Sequence, residues 1–60
     1  MENRFDMVNE RMSELTDEQF ACLAGAYNDY MTFGKVSWFE WVCNDLSLSP
    51  SDVIYWWQYQ

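Results

Sequence analysis

Sixty residues allow one small domain, and such a chain buries only about 60% of the surface that its unfolded form exposes. Half of the residues are hydrophobic and 20% are aromatic, so a dense core is within reach. Ten acids against three bases give a net charge of −7 with no histidine, which excludes His-based metal sites and Ser-His-Asp catalysis and disfavours contact with DNA, RNA or anionic lipid.

The opening residues Met1 to Asp6 have neither the basic region nor the apolar stretch of a secretory leader. Cys22 and Cys43 form neither a CxxC pair nor a disulfide framework, so a reducing cytoplasm is the expected compartment. The longest aromatic run, Val53 to Trp57, is far shorter than the roughly 20 apolar residues that span a bilayer.

Asn3 is a candidate cap for a first helix, whose apolar stripe is Phe5, Val8, Met12 and Leu15. Thr16-Asp17-Glu18-Gln19 reads as a capping box opening a second, with the stripe Phe20, Leu23, Ala24, Tyr27 and Tyr30 or Met31, stopped by Gly34. Ser37-Trp38-Phe39-Glu40 reads as another box, opening a helix that buries Trp38, Val42 and Leu46 with Phe39 and Cys43 alongside. After the Ser47-Leu48-Ser49 link, Ser49-Pro50-Ser51-Asp52 starts a last helix, with a Ser cap, Pro at the first position and an acid in the first turn. The pattern predicts helices over about 4–14, 17–32, 38–46 and 50–58. Together they make an all-α fold, a compact mini-bundle of three to four short helices forming one acidic domain over 1–60.

Asp6, Glu10 and Glu14 are spaced i, i+4, i+8, and Glu18 continues the interval just past the first helix. Like charges at this spacing oppose helix formation by roughly 0.2–0.5 kcal/mol per pair, and only Arg4 and Arg11 are near enough to offset them. A solvated face is the plain reading of such a row. The second half sharpens it: from Val36 onward Glu40, Asp45 and Asp52 face no base at all. Carboxylates on a stiff helical scaffold present negative points at a spacing like that of successive phosphates, which suits a cleft built to hold a nucleic-acid backbone. The expected electrostatic face is Asp6, Glu10, Glu14, Asp17 and Glu18, with Glu40, Asp45 and Asp52 secondary. Catalysis by paired carboxylates needs a concave site with converging polar groups, which a chain of this size has little volume to build. No run of oxygen ligands around a glycine forms a calcium loop, and no cofactor is expected.

Among the aromatic residues, Trp38, Trp57 and Phe39 are assigned to the core. Trp56 and Trp57 are adjacent and point about 100° apart, so both cannot lie centrally on one stripe. Trp41, Tyr55, Trp56 and Tyr59 remain as surface candidates, and exposed aromatics rimmed by acids are the composition of a protein contact.

The stretch Trp41 to Trp57 resembles a helix-turn-helix. Cys43 matches its small residue, Leu46 the last core position of its first helix, Ser47 its turn glycine and Leu48 its turn aliphatic. Val53 and Trp56 match the core of its recognition helix. The resemblance implies that Ser47 takes a backbone conformation favouring glycine, and that Trp56 is buried with Trp57 the more exposed of the pair. The positions that would face a major groove, Ser51, Asp52, Tyr55 and Gln58, include no Arg or Lys. In overall profile the chain is similar to phage-borne inhibitors of host defence or host transcription, including small anti-CRISPR and anti-restriction proteins. That resemblance is one of type and fixes no target. With the acids steering and the exposed aromatics anchoring, the expected function is that of a non-enzymatic inhibitor in the host cytosol. It would be a monomer or weak homodimer, binding a basic nucleic-acid-binding host protein or ribonucleoprotein by DNA mimicry. The alternative is a helix-turn-helix-like regulator or adaptor acting through protein contacts.

Overall fold

Asn3 opens the first helix by accepting the Asp6 N–H on its side chain at 2.9 Å, and α1 then runs over Arg4–Ser13. This computed structural model describes residues 3–59; Met1, Glu2 and Gln60, part of the expected 1–60 domain, lie outside the described residues. The capping box at Thr16 forms in both directions. Thr16 Oγ1 accepts from the Gln19 N–H at 3.1 Å, and Gln19 Oε1 accepts from the Thr16 N–H at 2.9 Å, starting α2 over Asp17–Phe33. Gly34 ends α2 in the left-handed region, with φ 70, and donates its N–H to the Tyr30 carbonyl at 2.9 Å.

The next helix, α3 over Val36–Asp45, follows after only Gly34 and Lys35, so α2 and α3 fold back on each other as a hairpin. It begins before the expected start at 38. The Val36 N–H already donates to the Gly34 carbonyl at 2.8 Å, and the Lys35 carbonyl accepts from Phe39 at 3.3 Å. Ser37 therefore sits inside the first turn, and the box expected there does not form; Lys35 is the cap residue and makes no side-chain bond. Last comes α4 over Pro50–Gln58, with Ser49 at the cap position and Pro50 where no N–H is missed. The Ser49 hydroxyl lies 3.1 Å from the Ser51 hydroxyl and makes no bond to the helix backbone.

The turn between α3 and α4 is set by Ser47 and Leu48. Ser47 has φ 59, the one non-glycine in the left-handed region among the described residues. Its N–H donates to the Asn44 carbonyl at 3.0 Å while Leu48 donates to Cys43 at 2.8 Å, the paired bonds of a Schellman motif. Leu48 and Cys43 are both buried, which supplies the apolar contact that accompanies this turn.

The core gathers Val8 and Met12 of α1, Leu23 and Ala26 of α2, Phe39, Val42 and Cys43 of α3, Leu48 of the turn, and Val53 and Trp56 of α4. Around it runs a chain of rings. Trp57 stacks on Tyr27 at 4.5 Å and on Phe20 at 5.7 Å, and Phe39 stacks on Tyr30 at 5.1 Å. Trp56 is buried, at 8% exposure, and its indole N–H donates to Asn9 Oδ1 at 2.9 Å, joining α4 to α1. Among the described residues no buried side-chain polar atom lacks a partner, and no helix is long and apolar enough to cross a membrane.

Two tryptophan assignments from the stripes are corrected. Trp56, placed at the surface, is interior. Trp38, placed in the core, is 45% exposed. The α3 core face is centred on Phe39, Val42 and Cys43, with Leu46 half-buried, and this rotates Trp38 onto the flank.

Replacing Ser47 with Gly removes the strain of a side chain at positive φ. It should raise stability by about 1 kcal/mol, or roughly 4–8 °C in thermal midpoint. Unchanged or lower stability in calorimetry contradicts the turn described here. Asn9→Leu removes the acceptor of the part-buried Trp56 indole N–H and should cost about 0.5–1.5 kcal/mol in urea unfolding.

Candidate functional site

Asp6 and Glu10 on α1, and Glu14 just past its end, lie on the side facing away from Val8 and Met12, and all three are exposed. Successive backbone positions in this row are about 6 Å apart along the axis, the rise of four helical residues. Glu14 is the C-cap of α1, where a negative charge meets the negative end of the helix dipole. Local helix energetics therefore do not account for Glu14. They do account for Asp17 and Glu18, which lie in the first turn of α2 against the positive helix end. The interval that runs on to Glu18 in the sequence is broken in space, because α1 ends at Ser13 and Glu18 belongs to α2.

Glu18 instead joins a second group. A groove of about 220 Å³ between the start of α2 and the end of α3 is lined by Glu18, Gln19, Cys22, Trp41, Val42, Asp45 and Leu46. It unites three of the residues expected from the sequence: Glu18, Trp41 and Asp45. Trp41 is 61% exposed and stacks on Trp38 with centroids 5.5 Å apart and planes 11° from parallel. Trp38, Trp41 and Asp45 are spaced i, i+3, i+7 and share a flank of α3 beside its core face. That spacing is the sequence signal by which Trp38 could have been found at the surface.

Asp52 and Tyr55 are taken up within the chain. Arg4 donates from Nε at 3.1 Å and from Nη2 at 2.9 Å to Asp52 Oδ1, and its guanidinium carbon lies 4.3 Å from the centre of the Tyr55 ring. Tyr55 also meets Phe5 edge-on at 6.5 Å and Tyr59 at 4.8 Å. These two expected partner residues thus tie α4 to α1. The Arg4–Asp52 pair is the one ion pair among the described residues. Glu40 is exposed and stands apart from the groove, near Cys43, and Trp56 is removed from the surface by its burial. Among the described residues no three acids or thiols gather closely enough to hold a metal ion.

The two thiols have opposite settings. Cys22 is exposed in the groove wall, whereas Cys43 is fully buried. Burial, with a smaller contribution from the negative charge of Glu40, pushes the Cys43 thiol up from its ordinary 9.0 to about 11. No family model matches the chain, and neither a curated protein nor a solved structure matches it.

Iodoacetamide at neutral pH should therefore modify Cys22 in the native protein and reach Cys43 only on unfolding, as peptide mass mapping will read. Because folding holds the Cys43 thiol protonated, its stabilisation is complete below the unfolded value near 9.0 and is lost as pH rises through about 11. The loss amounts to at most about 1.4 kcal/mol per pH unit. Urea unfolding of wild type and Cys43→Ala should show the stability difference narrowing as pH is raised across this range.

Proposed function

We propose that this chain is a non-enzymatic inhibitor that occupies the positively charged nucleic-acid-binding surface of another protein or ribonucleoprotein. The observation that carries this reading is the imbalance of charge at the surface. Asp6, Glu10, Glu14, Asp17, Glu18 and Asp45 are exposed and outside the single ion pair found among the described residues, in a chain with three cationic side chains. Such a surface raises the local concentration of cationic partners and speeds their encounter, while repelling polynucleotides themselves. The Trp38–Trp41 pair supplies exposed aromatic area, which carries the short-range part of binding once charge has brought the partner close. Competition for a nucleic-acid cleft makes a chain of this type suited to phage counter-defence, acting in the host cytosol on a basic host protein.

A second reading is favoured by one observation: the α3–α4 turn, with Ser47 at φ 59 and Cys43, Leu48, Val53 and Trp56 buried, fits the core of a helix-turn-helix. In that reading the chain is a regulator or adaptor working through protein contacts, or a regulator working through DNA. Ser51, Asp52, Tyr55 and Gln58 offer a DNA groove no cation, and Asp52 is already paired with Arg4. Specific retardation of duplex DNA by the pure chain at low salt would select the regulator.

The inhibitor reading is tested by affinity capture with salt elution, followed by binding kinetics on the captured protein. The Glu10→Lys, Glu14→Lys double variant should slow association far more than it speeds dissociation, and the difference should shrink as ionic strength rises. Equal association rates at low salt would remove α1 from the binding face.

A further inference from the structure

The groove between α2 and α3 has a floor that belongs to the core, Val42 and Leu46, but its rim side chains Trp41, Cys22, Glu18 and Asp45 are all exposed. Its volume of about 220 Å³ lies below the roughly 300–1,000 Å³ typical of small-molecule sites and suits a single long side chain. Its chemistry is specific: an apolar floor of Val42 and Leu46, an indole wall, a carboxylate from each of two helices, and no lysine or arginine among its lining residues.

We propose that this groove receives an arginine side chain from the basic partner, with the guanidinium lying on the Trp41 indole and donating to Glu18 and Asp45. The proposal rests on the inhibitor reading and names the contact through which that reading gains specificity. Arginine is selected over lysine for a physical reason: its planar, weakly hydrated head stacks on an aromatic face while its fork of donors still reaches carboxylates at the edge. An ammonium is a strongly hydrated point charge and loses more on entering such a wall. The chain already uses this recognition internally. Arg4 lies 4.3 Å from the centre of the Tyr55 ring and donates to Asp52 at 2.9 Å, pairing an aromatic face with a carboxylate just as the groove does. At Tyr55 the cation comes from the same chain; at Trp41 it must come from elsewhere. Trp38, stacked 5.5 Å away, covers part of the Trp41 indole, which adds to the aromatic area at the groove's edge.

The test uses the full chain with oligo-arginine, oligo-lysine and oligo-citrulline peptides of equal length, at low and moderate salt. Affinity is read by calorimetry, and occupancy of the groove by protection of Cys22 from iodoacetamide. The expected order is arginine above lysine, with citrulline not binding and Cys22 protected by the arginine peptide. Trp41→Ala, a change at an exposed residue, should weaken the arginine peptide about two- to fivefold and remove its advantage over lysine. Circular dichroism and the unfolding midpoint establish that the variant is folded. A Glu18→Gln, Asp45→Asn variant should lose affinity for the arginine peptide while remaining folded by circular dichroism, with its unfolding midpoint changed only by the lost helix-end charges. Equal binding of arginine and lysine peptides, insensitive to Trp41→Ala but abolished by Glu10→Lys, Glu14→Lys, overturns the groove and leaves the electrostatic reading standing. Failure of every cationic peptide to bind at low salt overturns both. Concentration-dependent self-association that protects Cys22 without peptide assigns the groove to a second copy and overturns the proposal.

Discussion

Trp56 is the residue on which the arrangement of the helices depends. Its ring is buried, its indole N–H is satisfied by Asn9 of α1, and it meets Phe20 of α2 and Trp57 edge-on at 6.2 Å and 5.3 Å. One side chain therefore joins α1, α2 and α4, and a second helix pair, α2 with α3, is closed by the short link at Gly34. A helical body with extents of 37 × 21 × 18 Å has too little interior for all of its rings. What Trp56 and Phe39 fill is denied to the others, and Trp38 and Trp41 are left on the outside as a stacked pair.

The same shortage applies to charge. Arg4 is spent on Asp52 and Tyr55, fastening α1 to α4, and this contact is structural in its effect although it is built from residues that resemble a binding surface. The acids elsewhere are left to solvent or to a partner. Carboxylates in the first turn of α2 gain from the helix dipole, whereas Glu14 at the end of α1 is opposed by it, and the repetition along α1 adds self-repulsion. A domain of this size has little stability to spare, so the row on α1 is a cost to folding that a partner's cations would relieve.

Much of the architecture was legible because helix ends are local chemistry. Asn3, Thr16 with Gln19, Gly34 and Ser49-Pro50 mark boundaries through residues only a few positions apart, and the structure places helix ends at each of them. The Ser37 box misled because the same signal competes with a tighter event: the Gly34 turn starts α3 immediately, and Ser37 falls inside it. The choice among four tryptophans could not be made from stripes alone, because which face of α3 turns inward is decided by the rings of Tyr27 and Tyr30 that pack on Phe39 at 5.8 Å and 5.1 Å. The stripes placed Trp56 outside and the turn motif placed it inside; the left-handed residue at Ser47 sets how α4 leaves α3, and Trp56 faces inward. Of the candidate site, Glu18, Trp41 and Asp45 were each visible as types. Their meeting in one groove is a consequence of the α2–α3 hairpin, which no spacing within either helix records.

The central claim is that an anionic, partly aromatic surface takes the place of a polynucleotide on a cationic protein. It is tested most directly by asking whether the captured partner can hold both at once. Sedimentation of the complex with increasing nucleic acid should show mutual exclusion, each ligand released as the other binds. A stable ternary species containing partner, nucleic acid and this chain would contradict the account.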